Sequence, residues 1–291
     1  MSFQHPPIAV TVIIPAYNAA PWLPMLFDGL DTQSFRDFEV IFINDGSTDE
    51  TANLLDSYAA AHANVKIIHQ PNRGVAIARN TGLDAAVGKY VAFVDADDAI
   101  APTYLEKLVS LADSLDLDIA FCSAWRFIRT PGDMTDANLL IHPKPQGVVP
   151  GKEWLERTVA DKEWFAVVWA SLFRSGFIED HNFRFAEGAL ASEDVLWGVA
   201  LQPRAKRVAF TPETTYYYRN TPGSIVNDNS IKGRIKRIRA RKLLREELLR
   251  MADSESPLLA EIFRAMALKV GRRLLGEVSD LPSLKQRIII S

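Results

Sequence analysis

The stretch Lys89–Asp98, KYVAFVDADD, decides the fold. Its apolar run, Tyr90-Val91-Ala92-Phe93-Val94, is rich in β-branched and aromatic residues and reads as a buried strand. The run stops at three acids, Asp95, Asp97 and Asp98. They therefore sit at its carboxyl end, where open α/β sheets hold their ligands. Three carboxylates this close repel one another and need water or a cation to neutralise them. A hard divalent ion such as Mg²⁺ or Mn²⁺ takes oxygen ligands and commonly bridges to phosphate. The same acids could instead cap a helix starting near Pro102, and this stretch alone leaves both readings open.

Toward the N-terminus the chain alternates. Ile8–Pro15 (IAVTVIIP) reads as a buried strand, and Ala20–Gln33 as a helix with Pro21 and Pro24 near its start, where proline is tolerated. Phe38–Ile43 is a second strand, closed by Asn44-Asp45-Gly46-Ser47. Thr48–Ala61 is a helix that Thr48 or Asp49 can cap, with Leu54, Leu55 and Tyr58 on one face. Val65–His69 is a short strand, and Gly74–Val87 a helix ended by Gly88. Past the acids come a helix from Pro102 to near Ser114 and a strand over Asp118–Phe127. This order predicts an α/β fold, a mainly parallel Rossmann-like sheet with helices on both faces and right-handed crossovers. The first strand leads into Pro15-Ala16-Tyr17-Asn18 and not a G-x-G-x-x-G turn, which excludes a nicotinamide or flavin enzyme.

From Thr130 to Pro150, closely spaced Pro and Gly predict a loop or an irregular sheet edge. The aromatic-rich region 151–228 reads as core, with some rings available to stack on sugars. Residues 231–250, IKGRIKRIRARKLLREELLR, hold nine basic and two acidic residues in a chain whose net charge is −3. Ile231, Ile235, Ile238 and Leu243 recur at helical spacing, so this segment suits an anionic membrane surface or a helix packed on the main domain with a solvated basic face. Nucleic acid is a poorer fit, because no aromatic interleaving or recognised motif accompanies the charge, so no nucleic-acid partner is expected. A further helix over Pro257–Val278 closes a C-terminal helical extension.

With 48% hydrophobic and 24% charged residues, the 291-residue chain is long enough for one large domain with a helical appendage. The single Cys122 rules out an internal disulfide framework and fits a reducing compartment. No signal peptide or membrane span is evident, so the expected location is cytoplasmic, at most peripheral on the inner membrane face. The five His residues are scattered, with no zinc spacing. The chain stops at an apolar Ile288-Ile289-Ile290 run, as a piece of a longer protein would.

The combination IIPAYN (13–18), INDGSTD (43–49), NRGVAIARNTGLDAAVGKY (72–90), FVDADD (93–98) and SED (192–194) resembles the family 2 glycosyltransferases of the GT-A fold. The resemblance covers roughly 8–228. It implies a nucleotide-binding half over about 8–128, an acceptor half over about 129–228 and a helical region over 229–291. It further implies an inverting transferase that uses a nucleoside-diphosphate sugar, with uridine favoured, and Mn²⁺ or Mg²⁺. The acceptor would be a saccharide or lipid-linked saccharide in bacterial surface-polysaccharide synthesis.

By this resemblance Pro15, Ala16, Tyr17 and Asn18 line the base pocket, and Asp45 accepts a uracil N–H. The family often has a second Asp where this chain has Asn44. Arg79 lies beside the nucleotide, or else pairs on its own helix. Gly74 lets backbone approach the ligand. Asp95, Ala96 and Asp97 form the D-x-D, with Asp97 or Asp98 on the metal. Asp194 is the general base, Glu193 holds the acceptor or the local loop, and Arg219 and Ser224 close over the diphosphate. The acids of 192–194 would also favour a helix N-terminus, a compatible role. A nucleotidyltransferase and a non-catalytic nucleotide- or carbohydrate-binding subunit are the alternatives. Sugar, linkage and oligomeric state carry no signal in the sequence.

Overall fold

The computed structural model describes residues 8–128, 139–141, 147–160, 167–188, 192–220 and 230–279. Four parallel strands form one half of a nine-stranded sheet: β1 (Val10–Ala16), β2 (Phe38–Asp45), β3 (Val65–Gln70) and β4 (Tyr90–Phe93). All four residues of β4 are buried, as are all of β1 and β2. Strands covered on both faces must be apolar throughout, which explains the unbroken runs in the sequence.

The helices of this half are α1 (Leu23–Asp31), α2 (Thr51–Ala61) and α3 (Val75–Ala85). Pro24 lies in the first turn of α1, where its missing N–H costs nothing. Helix α2 starts at Thr51, three residues later than the sequence suggests, because the Asp49 carboxylate accepts the Thr51 N–H at 3.0 Å. Helix α3 closes on the sheet through Ala76, Ala78 and Gly82. A Cβ on Gly82 would sit 2.3 Å from Ile13 Cγ2.

The second half departs from an all-parallel sheet. A short β5 (Ala99–Ile100) follows the acids, then α4 (Tyr104–Leu115), β6 (Ile119–Phe127) and β7 (Leu139–Ile141). Next come α5 (Gly151–Ala160), β8 (Ser171–Arg174), α6 (Ser175–Asp180), α7 (Glu193–Leu201) and β9 (Val208–Arg219). The sheet order is β3-β2-β1-β4-β8-β6-β9-β5, with β7 beside β6. Strand β8 runs antiparallel to both β4 and β6, so the expected parallel neighbours are separated by an inserted strand. The aromatics of this half are core: Trp154, Trp169 and Trp197 are buried, and Trp197 stacks on Phe185 at 4.9 Å.

A helical hairpin follows, α8 (Ile231–Ser254) and α9 (Pro257–Ser279). Ser230 caps α8 by accepting the Gly233 N–H at 3.1 Å. The hairpin shares one apolar cluster with α5 and α7, made of Leu244, Leu248, Phe263 and Met266 with Leu155 and Val199. The four residues read as one apolar stripe of α8 do not act together. Ile238 is buried, whereas Ile231 and Leu243 are exposed. No helix among the described residues is long and apolar enough to cross a membrane.

Gly88 does not end α3, whose last residue is Ala85. It lies against β1 instead, and a Cβ there would stand 2.5 Å from the Thr11 backbone nitrogen. Since backbone cannot yield as a flexible side chain can, Gly88→Ala should destabilise the chain by about 1–3 kcal/mol. Chemical denaturation monitored by tryptophan fluorescence should show the lower midpoint.

Candidate active site

The acids of the opening stretch lie at the carboxyl end of β4, as expected, but they are not equivalent. Asp98 is buried, and both of its oxygens are engaged. One accepts the Tyr216 hydroxyl at 2.6 Å and the other the Arg219 N–H at 2.7 Å. Burial, and then the charges of Asp97 and Asp95, push its carboxyl well up from the ordinary range. This corrects two readings. Asp98 does not cap the following helix, and its carboxylate is not presented to a metal. Asp95 and Asp97 stay partly accessible, so the D-x-D is the accessible part of the cluster.

Arg79 is the centre of the site. Its guanidinium is buried and bridges two carboxylates, with Nη2 to Asp95 Oδ1 and Nη1 to Glu193 Oε1, both at 2.8 Å. It also lies over the Phe185 ring, 5.4 Å from the centroid. Burial alone would lower its pKa. Asp95, Glu193 and Asp194 outweigh that and raise it, so the cation is permanent. The pairing on its own helix that the sequence allowed is not what forms.

Glu193 and Asp194 open α7, where acids suit the helix dipole. Glu193 is buried on Arg79, with Oε2 lacking a hydrogen-bond partner. It therefore ties the start of α7 to Arg79. Asp194 is half-buried, with Oδ1 accepting the Val195 N–H at 2.7 Å. Burial first and Glu193 second push its carboxyl up to about 7, against the pull of Arg79. A carboxylate poised there can take a proton near neutral pH.

Tyr17 is half-exposed beside the end of β1, whereas Pro15 and Ala16 are buried in that strand. Asn18 adopts φ 50°. Its side-chain oxygen accepts the Thr48 N–H at 2.8 Å, and its own N–H donates to Ser47 Oγ at 3.0 Å. Asn18 thus fastens the first loop to the second. Asp45 accepts from Gln70 Nε2 (2.7 Å), the Arg73 N–H (2.9 Å) and the Gly74 N–H (2.8 Å). An ionised carboxylate has about four acceptor positions, so roughly one remains for a further donor. Asn44 joins Ser47 N–H to His69 and carries no charge into this network. Gly74 has φ +88°, and the space a Cβ would fill is open.

Arg219 is a brace. Its Nε donates to the Asp97 carbonyl at 2.6 Å, and the guanidinium lies between the Trp22 and Phe127 rings at 4.8 and 4.4 Å. It holds the D-x-D loop against β9 and α1. Ser224 lies outside the described residues. Three supports escaped the sequence reading. Tyr216 holds Asp98 and also accepts the Asp95 N–H at 3.2 Å. Asn80 pairs doubly with the Phe185 backbone, at 2.9 and 2.8 Å. Phe185 floors Arg79. Asn80 follows Arg79 directly in its motif, the one signal that could have pointed to it. Among the described residues, no three carboxylate, imidazole or thiol groups converge on a point that could hold an ion.

The family model described as Glycosyl transferase family 2 matches residues 11–180. An uncharacterized glycosyltransferase of Escherichia coli K12, YibD, is 37% identical over 72% of this chain and 60% of its own length. The chain spans about three fifths of the length of the first relatives it matches. The structure of Staphylococcus aureus TarS 1–349 in complex with UDP-GlcNAc superposes with a TM-score of 0.75 at 23% identity, covering 96% of this chain and 77% of that one. The mannosyltransferase PcManGT of Pyrobaculum calidifontis, in complex with GDP-Man and Mn²⁺, gives 0.61 at 20% identity over 99% and 79%. At such identities the likeness shows the fold, which is GT-A.

Arg79→Leu leaves Asp95 and the buried Glu193 without their shared cation. Removing one partner of a buried pair costs about 3–5 kcal/mol. Equilibrium unfolding should register a loss of that size, and a change below about 1 kcal/mol would contradict the bridging role.

Proposed function

The chain belongs to glycosyl transferase family 2, and from that premise we propose that it is an inverting, metal-assisted transferase taking its sugar from a nucleoside diphosphate, uridine by preference. The observation that carries this reading is the Asp95–Arg79–Glu193 bridge, which brings the D-x-D loop to the helix headed by Asp194. UDP-GlcNAc in TarS, and GDP-Man with Mn²⁺ in PcManGT, support the donor class.

In this reading the Tyr17 ring stacks on the base and Asp45 receives its N–H. Asp95 faces the ribose and the diphosphate region, and Asp97 offers a carboxylate to the metal. The partly accessible carboxylates of Asp95 and Asp97 would suit Mg²⁺ or Mn²⁺, which bind through one or two carboxylates beside substrate phosphates. Bound there, the ion would supply Lewis-acid neutralisation of the departing diphosphate.

Asp194 takes the proton of an acceptor hydroxyl. That oxygen bonds the anomeric carbon from the face opposite the diphosphate. The carbon–oxygen bond to the diphosphate breaks, and its electron pair leaves with the nucleotide. Arg79 keeps Asp95 and Glu193 in place throughout. The acceptor is a saccharide or lipid-linked saccharide met at the inner face of a membrane, in cell-surface polysaccharide synthesis.

Calorimetric titration with UDP, GDP and dTDP, each with Mn²⁺ and with chelator, tests the reading. UDP should bind, and chelator should weaken it. If no nucleotide binds, the transferase reading fails. Once a donor and acceptor are in hand, Asp194→Asn should reduce transfer by roughly 10²–10⁴-fold with nucleotide affinity unchanged. The base works only when ionised, so the wild-type rate should fall about tenfold per pH unit below about 7.

A further inference from the structure

We propose that the outer face of α8, with the exposed leucines of α9, is a docking surface for an anionic phospholipid membrane. Lys232, Lys236, Arg239 and Lys242 are all exposed on α8. Spacings of three and four residues between them put them on one side of the helix. None of the four pairs with a carboxylate among the described residues. Unpaired cations on one face are what an anionic lipid surface attracts. Segment 231–250 carries nine basic and two acidic residues in a chain of net charge −3, so the rest of the protein is acidic and is repelled by the same surface. That asymmetry gives the approach a direction.

Charge alone would suit any polyanion, and the apolar side chains among the cations select a membrane. Ile231 is 44% exposed on α8, and Leu268 is 62% and Leu275 69% exposed on α9, whereas Leu243 lines the groove between α8 and residues 181–188. On α9, Leu268, Arg272 and Leu275 follow helical spacing along the outer side. Only Glu255 and Ser256 separate the helices, and a Cβ on Gly271 would stand 3.3 Å from Arg245 Nε. The antiparallel register therefore brings Arg272, Arg273 and Leu275 to the end of the hairpin that holds Arg239, Lys242 and Leu243. Cations meet headgroups while leucines reach the acyl boundary. Of the acids here, Glu246 lies one turn from Lys242 on the same side of α8, Glu261 lies near the turn between the helices, and Glu277 follows Leu275 by two residues. Val195 and Leu196 of α7 pack against the hairpin's cluster, so the orientation on a membrane would be passed to the helix that Asp194 heads.

Sedimentation of the full chain with vesicles tests this, comparing neutral phosphatidylcholine with a mixture containing about 30% phosphatidylglycerol at ~0.1 M salt. Binding should require the anionic lipid and fall as salt rises. Each of Lys232→Gln, Lys236→Gln, Arg239→Gln and Lys242→Gln should weaken it roughly fivefold, and the four together at least about a hundredfold. The pair Leu268→Ser and Leu275→Ser should weaken vesicle binding severalfold and leave its salt dependence in place. Equal binding to both vesicle types, binding to neither, or a fourfold variant that binds like wild type would overturn the proposal. So would single-stranded RNA bound as tightly as vesicles, with the leucine pair without effect. Nucleotide affinity should be unchanged in every variant, which separates failure here from failure of the transferase reading.

Discussion

One buried guanidinium holds the two halves of this molecule in register. Arg79 comes from a helix of the parallel half, Asp95 from the loop that ends the central strand, and Glu193 from the first turn of a helix in the mixed half. A lone charge this deep would be prohibitive, and so would the buried Glu193 carboxylate without it. Arg79 and Glu193 are tolerable at this depth only together, so the bridge specifies a geometry as well as contributing attraction. Arginine suits the position because its planar fork reaches two acids at once, which a lysine ammonium does less well.

Around that bridge the acidic loop is sorted by its surroundings. Tyr216 and the Arg219 N–H take the Asp98 oxygens, while the Arg219 side chain takes the Asp97 carbonyl. The two aromatic rings on either side of Arg219 keep water from competing for it. The loop is thus pinned from behind, and its open side belongs to Asp95 and Asp97. Adjacent acids with the same sequence signature end up with different work, one structural and two facing the site.

The parallel half was legible because strands buried on both faces must be apolar from end to end, and β1, β2 and β4 are. The insertion of β8 between β4 and β6 was not legible, since its four residues carry no marker of direction or neighbour. In the site, the motifs that hold Asp95, Asp97 and Asp194 were legible. The division of labour did not, because it depends on partners far away in sequence. Asp98 lies more than a hundred residues from Tyr216, and Arg79 as far from Glu193. Asp45 shows the same limit at closer range, since the turn at 70–74 already occupies most of its acceptor capacity.

The apolar cluster shared by the hairpin, α5 and α7 bears on how relatives of this chain can be recombined. Leu155, Val199, Val195 and Leu196 have their packing partners on α8 and α9, so the junction before Ser230 is not a seam between independent parts. A chimera made by exchanging everything after that point would set foreign side chains against the helix that Asp194 heads. Compatible exchange would have to carry the inner faces of α5 and α7 along with the hairpin. The unit of inheritance in this half is a packed layer rather than a contiguous stretch of chain.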